Sequence, residues 1–247
     1  MPEPVDPTAR GDRSARRQVL ARLSAQLGQL EASARPVGGP AMSSGSAAYD
    51  RWLPGGGWLP GTLVEWLTHE AAEGAATLAL TAARAICRGD GTLVVIDPRG
   101  EFYPPAAAAL GIDLERTVIV RPSAEADQVW ACDQALRSLA VAAVLAPFER
   151  LEERDGRRFQ FAARASGAVG LLLRPATVRT TASWAHLRLE VVPQPGGTAR
   201  RWQLRQLAGR GSTKSTPLFL ELDDETGTLR VVAPLAARAT VGRSARA

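Results

Sequence analysis

Lysine is almost absent from this chain: Lys214 is the only one among the thirty basic residues of the 247-residue sequence. Cysteine is nearly as scarce. Cys87 and Cys132 are too few and too far apart for a disulfide framework or a four-ligand zinc site, and read as reduced, buried thiols. The two histidines, His69 and His186, fall in no recognisable ligand spacing, and neither cysteine has a partner suited to nucleophilic work. No apolar run approaches the ~20 residues of a membrane span. The first residues are acidic and polar, without the apolar centre of a secretory signal. A cytoplasmic protein with no membrane partner is the expectation.

What is present is an ordinary globular composition, 45% hydrophobic and 22% charged, enough to bury a core. The formal net charge of +5 comes almost wholly from arginine and is uneven. From residue 174 onward twelve basic side chains face five acidic ones, so the C-terminal third is the basic end. A basic surface favours an acidic partner, nucleic acid first. Arg200, Arg201, Arg205, Arg210 and Lys214 flank two turns there and are the candidate DNA-binding residues. A solvated strand face accounts for the same run.

Residues 1–12 read as disordered, 13–46 as a helix and linker, 47–237 as the core, and 238–247 as a tail. In the helix, Leu20, Leu23, Leu27 and Leu30 recur at spacings of three and four. This narrow stripe is a candidate partner-binding surface; packing on its own domain is the alternative. A Pro-, Gly- and Ser-rich linker occupies 36–46. The stretch 49–61, with Gly55, Gly56 and Gly57 between Pro54 and Pro60, reads as a turn feeding a strand over 62–66.

Strands then alternate with helices. The strands fall at 92–96, 117–120, 141–145 and 168–173, and the helices at 71–88, 104–110, 123–139 and 157–166. Apolar strand runs with helices between them imply right-handed crossovers and a mostly parallel sheet. From residue 186 the pattern changes to short β-prone runs separated by Gly-rich turns, which suggests antiparallel hairpins extending the sheet edge.

In such a sheet ligands bind at the C-terminal ends of the strands. The first strand-to-helix turn is therefore the place for a phosphate loop, G-x-x-x-x-G-K-[ST]. Its glycines let amides close on phosphate oxygens, its lysine neutralises charge, and its hydroxyl holds Mg²⁺. Here Gly74 is followed by Ala75 and Ala76, with Thr77 next, and no lysine lies nearby. The stretch around Lys214 imitates the motif but precedes a β-prone run rather than a helix, so the phosphate argument fails. Asp97, at a strand end, could be catalytic or could cap the following turn. No catalytic residue, bound cofactor or metal site is expected.

The order of these pieces resembles the RecA core, and more closely the ImuA family of RecA-like proteins associated with translesion DNA synthesis. The resemblance rests on the strand 63–66 with the Gly74–Thr77 turn, on the Leu-Val-Val-Ile-Asp run ending at Asp97, and on the segments 110–122 and 157–174. It implies a RecA-like mostly parallel sheet flanked by helices, with an antiparallel C-terminal extension and an N-terminal helix. It also implies a degenerate P-loop, Ala146 near the position of the metal-binding aspartate on the 141–145 strand, and Arg99 near that of the catalytic glutamate. The implied role is a non-catalytic accessory one in SOS-induced DNA damage tolerance. The implied partners are a polymerase-like ImuB protein, an error-prone DnaE-type polymerase and RecA itself. The competing reading is a divergent nucleotide-binding ATPase acting on DNA.

Overall fold

The computed structural model describes residues 39–69, 74–195, 199–207 and 216–234. The Leu20–Leu30 stripe, Arg210 and Lys214 lie outside the described residues.

The described chain opens with a short pairing, not a free linker. Met42 and Trp58 exchange backbone hydrogen bonds of 2.8 Å each. Helix α1 (Ala47–Trp52) follows, capped by the Ser46 hydroxyl, which accepts from the Tyr49 amide. This corrects the reading of 49–61 as turn throughout. The Ser46 cap is sufficient to start a helix, and Pro54 with the three glycines ends it after a turn and a half. The helix matters because it supplies Tyr49, which meets Trp58 edge-on at 5.7 Å; Trp58 in turn lies 5.9 Å from Trp66.

Strand β1 (Leu63–Thr68) and helix α2 (Ala75–Ile86) begin the alternation. There follow β2 (Thr92–Ile96), α3 (Pro104–Ala109), β3 (Thr117–Val120) and α4 (Glu125–Arg137). Then come β4 (Val141–Pro147), α5 (Glu153–Ser166) and β5 (Val169–Pro175). Strands β6 (Leu187–Gln194), β7 (Arg200–Leu207), β8 (Leu218–Asp223) and β9 (Thr228–Val232) complete the sheet.

All nine strands form one sheet in the order β3-β2-β4-β5-β1-β6-β7-β8-β9. From β3 to β6 every neighbour is parallel; from β6 to β9 every neighbour is antiparallel. The parallel half is apolar on both faces because helices cover both. One face packs Trp66, Leu78, Ile86 and Leu171 beneath α2. The other packs Leu63, Leu136, Phe159 and Leu172 beneath α4 and α5. Phe159 is wholly buried, and burial of such a ring stabilises by about 1.5–3 kcal/mol. Helix α5 ends at Gly167, whose φ of +85° closes the helix in the left-handed region.

The parallel-to-antiparallel switch at β6 and the helix-covered core agree with the expected fold class. Among the described residues no helix is long and apolar enough to cross a membrane.

Candidate functional site

The C-terminal ends of β1, β2, β4 and β5 and the N-terminus of α2 enclose a cavity of about 820 Å³. Ala75, Ala76 and Thr77 line it, so the degenerate turn does face the place where a ligand of a parallel sheet binds. The first bond of the helix runs from the Leu78 amide to the Gly74 carbonyl at 3.0 Å. The amides of the preceding turn therefore have no acceptor within the helix.

Gly74 is held at φ +93°. Its surroundings explain why it is glycine. A Cβ there would fall 2.2 Å from Trp202 Nε1 and 2.6 Å from Trp202 Cε2. Trp202 comes from β7 and is 4% exposed. The indole thus packs on the glycine itself, while the cavity is lined by the next three residues, Ala75, Ala76 and Thr77. No lysine follows Gly74 in the sequence, and the cavity-facing residues of β4 are Leu145 and Pro147. This corrects the sequence reading at one position. Ala146 points to the opposite face, among Phe148 and Phe159, so Leu145 and not Ala146 occupies the place from which an acid could reach the site. A magnesium–nucleotide complex finds neither the lysine after Gly74 nor an acid on the cavity side of β4, so the residues present do not supply the groups of a phosphate loop. Among the described residues no three His, Cys, Asp or Glu side chains gather as metal ligands would.

The polar groups around the cavity are mostly engaged with one another. Asp97 Oδ1 accepts from the Glu101 amide at 2.8 Å, and Oδ2 accepts from Arg121 Nε at 3.3 Å. Asp97 therefore caps its turn. Arg99 reaches both Glu101 at 2.9 Å and Glu149 at 2.8 Å. Arg200 Nη2 meets Asp224 Oδ1 at 2.6 Å.

The structure brings Arg200 to the same cavity as Ala75, Ala76 and Thr77 but sends Arg201 and Arg205 elsewhere. Arg201 pairs with Glu221, which lies opposite it on β8. Arg205 donates to Gln203 at 2.9 Å and lies 3.6 Å from the buried Glu190. The described arginines of the cluster thus face carboxylates of the same sheet. Cys132 is fully buried, and burial pushes its thiol far above the ordinary range, so it is no nucleophile. His186 is part-buried, and burial lowers its imidazole below the ordinary 6.5.

Three charged residues deep in the sheet escaped notice as a group in the sequence. Glu65 on β1 stands beside Arg188 on β6 in register, and Arg188 Nε donates to Glu65 Oε2 at 2.7 Å. The remaining Arg188 nitrogens donate to the carbonyls of Val178, Arg179 and Thr181. Arg174, at the end of β5, lies 4.0 Å from Glu65 Oε1 and lines the cavity. Its Nε and Nη1 have no hydrogen-bond partner. The signal was a charge interrupting otherwise apolar strands, legible at Glu65 but meaningless until the strand order was known.

The sequence profile of the RecA N-terminal domain matches residues 26–147. ImuA of Caulobacter vibrioides is 29% identical over 177 residues, covering 64% of this chain and 70% of that protein. The chain is similar to ImuA and to the RecA N-terminal domain. RecA of Nostoc punctiforme is 34% identical over 100 residues, which cover 40% of this chain but 27% of that RecA. The crystal structure of the RadB recombinase superposes with a TM-score of 0.60 at 17% identity, over 78% of this chain and all of that one, a likeness of fold alone. The RecA-like core is therefore secure, and the eroded turn lies inside the region matched to RecA.

Proposed function

We propose that this chain is a non-catalytic RecA-like accessory protein of DNA damage tolerance, acting in SOS-induced translesion synthesis through protein contacts. The observation that carries the reading is the turn at Gly74. The fold retains the strand, turn and helix that cradle phosphate in RecA-like cores, yet Trp202 packs on the glycine, Leu145 faces the cavity, and no lysine is at hand. A scaffold that keeps its architecture while these groups are lost serves better as a docking surface than as a motor. The likeness to ImuA supports the setting, with a polymerase-like ImuB protein, a DnaE-type polymerase and RecA as the partners to try first.

The test is direct. The purified chain is titrated against each partner by biolayer interferometry, with and without Mg-ATP. Complex formation independent of nucleotide supports the accessory role. Binding that requires Mg-ATP, or ATP turnover stimulated by DNA, restores the divergent-ATPase reading.

A further inference from the structure

The least compensated buried charge around the cavity is Arg174. Its side chain is 6% exposed, and Nε and Nη1, both closed to solvent, make no hydrogen bond among the described residues; its carboxylate neighbour there, Glu65, is 4.0 Å away. Glu65 is already committed to Arg188 at 2.7 Å. The buried trio of one carboxylate and two guanidinium groups therefore carries an excess positive charge. Burying a charge without a partner is costly, and proteins compensate it with a counter-ion or a hydrogen-bonded acceptor.

The rest of the lining states what kind of anion fits. Leu80, Phe102, Leu110, Leu145 and Leu173 make the walls apolar. Arg99 is held by Glu101 and Glu149, and Arg200 by Asp224, while Arg150 stands exposed to solvent, so Arg174 is the buried cation left to a ligand. Those three acids and Asp97 line the same cavity and offset Arg99, Arg200 and Arg121, so the rim adds no net positive charge for a polyanion. A cavity of about 820 Å³ is of the size that encloses a drug-sized molecule. The amides at the start of α2, which have no acceptor within the helix, also favour a negative group.

We infer that this cavity binds a small amphiphilic monoanion, a carboxylate on an apolar body, with its charge compensated by Arg174 and its body against Leu80, Phe102 and Leu173. This ligand class differs from a nucleotide in both charge and shape. The site stands independently of the accessory role, because a cavity of this kind does not depend on which protein the surface docks.

The probes are 4-phenylbutyrate and its neutral counterpart 4-phenylbutyramide, titrated calorimetrically into the purified full chain, with Mg-ATP as a polyanion in a parallel run. The acid is expected to bind roughly tenfold or more tightly than the amide, the scale of one charge-assisted hydrogen bond. Arg174→Met, of similar apolar length, is expected to bring acid and amide to the same affinity. Failure of the acid to bind, equal affinities for acid and amide on the unaltered protein, or a preference that survives Arg174→Met overturns the inference. So does Mg-ATP binding tighter than the acid. If Arg174→Met does not fold, the acid–amide comparison on the unaltered protein decides by itself.

Discussion

Trp202 packs against Gly74 so closely that a single carbon added to the glycine would lie 2.2 Å from the indole nitrogen. The contact joins β7, in the antiparallel extension, to the turn that opens α2, in the parallel core. It gives Gly74 a packing reason to be glycine, in place of the phosphate-binding reason the motif would supply.

Gly74→Ala therefore destabilises the protein even though no ligand is involved. The left-handed backbone costs the alanine about 1–2 kcal/mol, and the clash adds about 1–3 kcal/mol. For a domain of this size the melting temperature falls by roughly 2–4 °C for each kcal/mol. In a Trp202→Ala background only the backbone part of the penalty remains. A thermal melt of the four proteins in the cycle checks this; an equal penalty in both backgrounds would refute the packing role.

The ion cluster responds unequally to loss of its members. Glu65→Gln leaves two buried guanidinium groups without a carboxylate and is expected to cost about 3–5 kcal/mol. Arg174→Met removes a buried charge whose Nε and Nη1 make no hydrogen bond among the described residues, and is expected to be near neutral or stabilising. Urea denaturation of both variants measures the difference. A larger loss for Arg174→Met than for Glu65→Gln would show that the 4.0 Å contact, not the 2.7 Å one, holds the cluster.

Acidification has a defined signature at His186. Burial lowers its pKa in the fold below the ordinary 6.5, so just under pH 6.5 the unfolded chain takes up a proton that the folded chain resists. Its contribution is present above pH 6.5 and is lost as the pH falls towards the folded-state value. His186→Gln should flatten that part of the stability profile, read by denaturant melts between pH 7.5 and 5. An unchanged profile would assign the acid sensitivity to other groups.

The pairing of the β7 arginines sets an expectation for DNA. Arg200, Arg201 and Arg205 are each engaged with carboxylates, so replacing all three by alanine is expected to leave duplex affinity and its salt dependence nearly unchanged. Three true phosphate contacts would instead reduce the salt slope by about 2.7. Fluorescence anisotropy on a labelled duplex at several salt concentrations separates the two.

Most strands and helices were legible in the sequence because burial on both sheet faces writes continuous apolar runs, as at Thr92–Ile96 and Thr117–Val120, whose ends fall where the pattern put them. Helix α1 was not legible, since three glycines and two prolines just beyond it dominate the local signal. The loss of the lysine was plain from composition. The indole on Gly74 was not: it needs β7 packed alongside the start of α2, a long-range relationship with no local trace. The same holds for Glu65, Arg174 and Arg188, which become neighbours only when β5, β1 and β6 lie side by side. Leu145 and Ala146 differ by one position, and in a strand one position decides which face a side chain serves.

The most direct test of the central claim is a thermal melt of the full chain with and without saturating Mg-ATP or Mg-ADP. A nucleotide present at ~100 times its dissociation constant would stabilise the fold by about 2.7 kcal/mol, a shift readily seen. The melting temperature is expected not to move, as follows from a Gly74 turn with no lysine after it and no acid on the cavity side of β4. A clear rise with either nucleotide would contradict it, and the cavity beside Gly74 would then belong to an ATPase after all.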